Sequence, residues 1–163
     1  MTSPFLLPYP YRLINRGQVK AYEFNTAHGL TYEITFTSGD YFPASPLREY
    51  GIILGLELLD PLARDPGTDA RIEATVIAAI EQVLAAADPI IVWVCSPDKK
   101  QQRARNLLFN RWYQHYKQTG GPYQLIKQDV QPTAGQFVSL LYRADNPERG
   151  ALEELLLEDL DKL

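Results

Sequence analysis

Ile90-Ile-Val-Trp-Val-Cys95 is a continuous apolar, largely β-branched run of six residues. A strand with one wet face alternates apolar and polar side chains, whereas a strand without a polar face must be covered on both sides. Any fold for this chain therefore needs a sheet with layers above and below this segment. Helical patterns flank it. Asp69 is placed to cap a helix in which Ile72, Val76, Ile80, Val83 and Ala87 recur at spacings of three and four, and Asp88-Pro89 ends it. After the run, Ser96-Pro97-Asp98 is a helix start signal with proline inside the first turn. The second helix extends to about Lys117, and Gly120-Gly121-Pro122 breaks it.

The other segments read as strands and one more helix. Val19–Asn25 is a first strand, and residues 30–37 alternate with period two: Tyr32, Ile34 and Phe36 point one way, Thr31, Glu33, Thr35 and Thr37 the other. Ala27-His28-Gly29 is the hairpin turn between them. Residues 52–59 form a third strand interrupted by Gly55, followed by a loop over residues 61–67. Residues 123–130 and 136–143 form a second pair, joined through Pro132 and Gly135. Asn146-Pro147 opens a last helix over residues 147–163, whose stripe of Leu152, Leu155, Leu156, Leu160 and Leu163 is expected to dock on its own sheet. Residues 1–17, rich in Pro and Tyr, read as an irregular arm. The order is ββ(β)αβαββα. The expected class is α+β (mixed α/β): one mixed, largely antiparallel sheet of five to six strands with helices packed on it, in a single domain over residues 1–163.

Composition removes several function classes. With 163 residues, 45% hydrophobic and 22% charged, the chain can bury a core without metal or disulfide, and disorder is excluded. No apolar run approaches the ~20 residues of a membrane span. A formal charge of −4 gives no reason to expect a nucleic-acid or anionic-membrane binder. One cysteine and two histidines rule out an internal disulfide and a Cys/His zinc cluster, so neither a metal nor a cofactor is expected. The N-terminus lacks a basic region, and Pro4, Pro8 and Pro10 interrupt its apolar stretch; it is not a signal peptide, and a cytoplasmic location is expected. The charge is uneven. Residues 99–117 hold six cations and no carboxylate, and residues 148–163 hold six carboxylates and two cations.

No dinucleotide, P-loop, zinc-protease or serine-hydrolase motif is present. The candidate site lies at the start of the second helix. On a helical wheel Phe109, Trp112 and Tyr116 share the inward face, flanked by Leu108 and Tyr113, and that face continues back through Arg105, Gln102 and Gln101 to Asp98. Inward polar groups need partners, and the carboxyl edge of a buried strand is where ligands bind in open α/β sheets. Ser96, Asp98, Gln101, Gln102 and Arg105 are therefore candidate ligand-binding residues for a phosphate or carboxylate. The competing reading pairs Arg105 with a structural carboxylate and uses the glutamines to tie down a loop. Lys99, Lys100, Arg103 and Arg111 lie on the outer face. The aromatics face away from them, so nucleic acid is not expected. Cys95 reads as a small hydrophobe at the end of a core strand, and His28 and His115 read as structural or solvated.

Three pieces carry a resemblance: Tyr32-Glu-Ile-Thr-Phe36, then Asp69-Ala-Arg-Ile72, then the Asp98…Gln102-Arg103…Arg105…Phe109…Trp112-Tyr113 pattern. Over about 80 residues the chain resembles a family of short bacterial proteins, of Bacteroidetes type, that carries only a domain-of-unknown-function label. The resemblance implies a small bacterial cytosolic protein and brings no activity and no catalytic residues. The expectation from sequence is a small non-enzymatic binding or protein-interaction module, monomeric or homodimeric, whose partner is an anionic ligand or a protein. The alternative is a small hydrolase or nuclease acting on a phosphate-bearing substrate at the N-terminus of the second helix.

Overall fold

The computed structural model describes residues 7–17, 19–38, 47–59, 69–95, 102–130 and 137–158. Among these residues seven strands and four helices follow in the order β1 (Tyr11–Arg16), β2 (Val19–Asn25), β3 (Thr31–Ser38), α1 (Leu47–Tyr50), β4 (Gly51–Leu58), α2 (Ala70–Ala87), β5 (Ile90–Cys95), α3 (Gln102–Thr119), β6 (Leu125–Val130), β7 (Phe137–Arg143) and α4 (Arg149–Glu158). The strands form one mixed sheet in the order β1-β2-β3-β4-β5-β7-β6. The class is α+β, as the sequence implies, but the sheet has seven strands rather than five or six. The chain divides into two compact units, Met1–Thr37 with Leu54–Ala87, and Ser38–Ile53 with Asp88–Leu163.

The extra strand is β1, in the segment that reads as an irregular arm. It pairs antiparallel with β2, with Tyr11 opposite Phe24 and Arg16 opposite Val19. Its own pattern is weak because it is a sheet edge: Leu13 is 54% exposed, so apolar and polar positions do not separate. Partners fix it instead. The Tyr11 ring stands edge-on to Tyr22 at 5.4 Å, and its hydroxyl donates to Gln82 Oε1 of α2 at 2.9 Å. β2 and β3 form the expected hairpin, with Tyr22 opposite Ile34 and Phe24 opposite Tyr32. Ile34 and Phe36 are buried, as is Val76 of α2. Tyr9 stacks on Phe24 at 5.9 Å, and its N–H donates to Thr75 Oγ1 at 2.8 Å. Glu33 departs from the half-buried pattern: it is 3% exposed, standing opposite Glu23, whose carboxylate pairs with Arg12. Asp69 caps α2 as read from sequence, accepting from the Arg71 N–H at 2.9 Å.

The second unit shows why β5 has no polar face. Ile90, Ile91 and Val92 are wholly buried and Trp93 nearly so. Ile90 and Val92 join Val138, Leu140 and Tyr142 of β7 in a cluster with Leu152 and Leu155 of α4. On the opposite face Trp93 stacks on Phe109 of α3, with centroids 4.7 Å apart. Phe109, Trp112 and Tyr116 are buried along one side of α3, as the wheel requires, and Leu108 is half-buried beside them. Gly120 ends α3 at φ 66°, a left-handed conformation that suits glycine. At Gly121 a Cβ would fall 2.3 Å from the Tyr116 ring, so only glycine lets the chain pass there. The Tyr123 N–H then donates to the Tyr116 hydroxyl at 3.3 Å.

Candidate functional site

Ser96, Asp98 and Gln101 lie outside the described residues. Gln102 and Arg105 belong to α3, but their side chains also lie outside them. A described polar group lies on β6 and β7. Asp129 stands opposite Ser139, which stands opposite Trp93 on β5. Lys127, whose side chain is 2% exposed, donates to Asp129 Oδ1, and Ser139 Oγ donates to the same oxygen at 2.8 Å. Burial alone would raise the Asp129 pKa. The hydrogen bonds from Lys127 and Ser139, with the Lys127 charge, outweigh burial and hold it below the ordinary carboxylate value. A serine beside a carboxylate invites a nucleophile-and-base reading. Here the ammonium keeps the carboxylate ionised and weakly basic, so it is poorly suited to drawing the serine proton. The trio is built as an ion pair that satisfies buried polar groups.

A second feature lies at the other end of β7. A recess of about 410 Å³ is lined by Pro122, Tyr123, Gln124, Arg143, Ala144, Asp145 and Arg149. Three pieces of local structure shape it. The Gly120-Gly121-Pro122 turn, pinned on Tyr116, delivers Tyr123. The Ala144 N–H donates to the Gln124 carbonyl at 2.8 Å and closes the ends of β6 and β7. Asn146, 5% exposed, fixes the start of α4: its Oδ1 accepts from the Glu148 N–H at 2.8 Å and its Nδ2 donates to the Asp88 carbonyl at 3.0 Å. Asp88 follows α2 at φ 45°.

Two guanidiniums face this recess, each oriented by a neighbouring carboxylate. Arg143 donates from Nε to Asp145 Oδ1 at 3.0 Å and from Nη2 to Asp145 Oδ2 at 2.8 Å, a bidentate pair. Its carbon Cζ lies 5.0 Å from the Tyr123 ring centroid, within cation–π range. Arg149 donates from Nε to Glu153 Oε1 at 2.9 Å and from Nη1 to the Ala144 carbonyl at 3.0 Å. The hydrogen bonds to Asp145 and Glu153 push both arginine pKa values further up. Two fixed cations and a tyrosine ring can hold an acidic or planar group. The carboxylate in the lining, Asp145, is the one that Arg143 engages with both Nε and Nη2.

None of the recess residues is in the site expected from sequence. The local pairs had a signal: Arg143 and Asp145 are two apart, and Arg149 and Glu153 sit at the i,i+4 spacing of a helical ion pair. Tyr123 had none, because the turn around Tyr116 brings it there. Among the described residues no group of His, Cys, Asp and Glu is arranged to hold a metal ion. No helix among them is long and apolar enough to cross a membrane.

The described residues define an α+β sheet protein with a recess lined by paired arginines. The chain belongs to a family of unknown function, DUF6169, matched over residues 68–158. That span includes two of the three pieces that carry the resemblance in the sequence, and it leaves out Tyr32–Phe36. It runs from α2 to α4 and contains both the Lys127–Asp129–Ser139 trio and the recess. No curated protein and no solved structure matches the chain.

Proposed function

We propose that the chain is a small non-enzymatic binding module of a bacterial cytosol, folded as a single domain and working as a monomer or homodimer. The observation that supports this reading is the Tyr123–Arg143–Arg149 recess, in which both guanidiniums are oriented by neighbouring carboxylates. The Lys127-held Asp129 supports it from the other end of the strands, because its lowered pKa suits an ion pair and not a general base. Its partner is a small anionic ligand or an acidic group on a protein. The reading is tested by following the backbone amide signals of the labelled full chain during a screen of small fragments. The expected hits shift Ala144, Asp145 and Tyr123 together and lose their effect in Tyr123→Ala. Turnover of a phosphoester or peptide substrate by the purified protein, abolished by Ser139→Ala, would overturn it.

A further inference from the structure

We infer that the recess recognises a small organic monocarboxylate, its oxygens held by Arg143 Nη1 and Arg149 Nη2 and its body resting on Tyr123. This inference rests on the binding reading of the recess and adds the class of ligand. A guanidinium has five N–H donors in a planar fork. Arg143 gives Nε and Nη2 to Asp145, and Arg149 gives Nε to Glu153 and Nη1 to the Ala144 carbonyl. Nη1 of the first and Nη2 of the second take no hydrogen-bond partner among the described residues. The carboxylates that occupy the other donors orient each fork before a ligand arrives, which lowers the ordering cost of binding. The N-terminal end of α4, at Arg149, adds a favourable dipole for negative charge.

The charge balance selects the kind of anion. Asp145 lines the recess, Glu153 holds Arg149, and Asp88 Oδ1 lies 3.9 Å from Arg143 Nε. These three carboxylates leave the two guanidiniums in net negative surroundings, so every charge on a ligand is penalised, a dianion more than a single carboxylate, whose attraction is confined to the open donors. About 410 Å³ exceeds the needs of an inorganic oxyanion and accommodates a ligand with a carbon skeleton. The half-buried Tyr123 ring beneath Arg143 gives that skeleton a flat surface.

The test titrates the labelled full chain with benzoate, its neutral isostere benzamide, and inorganic phosphate, following the amide signals of Tyr123, Ala144 and Asp145. Benzoate is expected to shift them saturably, with benzamide and phosphate at least tenfold weaker. Arg149→Gln should remove the benzoate response, and Arg149→Lys should restore part of it. Circular dichroism checks that each variant is folded. If benzamide binds as well as benzoate, carboxylate recognition is wrong while the recess remains a binding surface. Phosphate binding tighter than benzoate overturns the choice of a monoanion. If these probes and the fragment screen all leave the recess signals unmoved, the binding reading falls with it.

Discussion

Asn146 shows how one side chain sets the geometry of the recess. Buried and bonded on both sides, it caps α4 with Oδ1 and ties the chain after α2 with Nδ2. Asn146→Ala leaves both backbone groups without that partner and is expected to cost about 1–3 kcal/mol in denaturant unfolding. Asn146→Asp keeps the cap but loses the donor to Asp88, so it should recover only part of that loss. Asp129 makes a pH prediction. Its folded pKa lies below the ordinary value of 3.8, so the folded state binds its proton more weakly than the unfolded chain. The stability this confers is present above pH 3.8 and is lost as pH falls through the lower folded pKa. The acid limb of a stability-versus-pH curve should therefore be shallower in Asp129→Asn than in the wild type; identical limbs would show that the pair with Lys127 does not act in solution. Both residues were within reach of the sequence. Lys127 and Asp129 are two apart in a strand and share a face by period. The burial of Lys127 was hidden, because it is a property of the folded sheet, where Lys127 stands opposite Leu141 of β7, and not of neighbours in sequence.

At the scale of elements, the segments read best are those whose pattern reports their own surroundings. The six-residue run of β5 announced two covered faces, and α4 supplies one while α3 supplies the other. The Phe109–Trp112–Tyr116 stripe and the Asp69 cap were legible for the same reason. β1 was not, because an edge strand is recruited by the strand beside it. Two substitutions test this packing. Phe109→Ala removes the ring stacked on Trp93 and should destabilise by about 3–5 kcal/mol; Leu152→Ala opens the cluster on the other face and should cost about 2–5 kcal/mol. Unchanged denaturation midpoints in either would contradict the placement of that helix. The expected leucine stripe is seen at Leu152, Leu155 and Leu156, all packed on the strands of their own unit. Leu160 and Leu163 lie outside the described residues.

For the whole molecule, the fold class was readable, and the recess after α3 was not. Secondary structure follows from local periodicity, whereas the recess joins a turn after α3, the end of β7 and the start of α4, which are brought together only by the sheet. The site expected from sequence, at Ser96, Asp98, Gln101, Gln102 and Arg105, falls outside the described side chains. Removal of residues 147–163 takes Leu152 and Leu155 from the core and Arg149 from the recess together. The truncated chain should lose cooperative unfolding as well as benzoate binding. A soluble, equally stable truncation would make α4 a dispensable tail. The most direct measurement is a crystal structure of the full chain grown with benzoate. The expected density places the carboxylate within hydrogen-bond distance of Arg143 Nη1 and Arg149 Nη2, with the ring against Tyr123; a bound benzoate elsewhere, with this recess unoccupied, would contradict it.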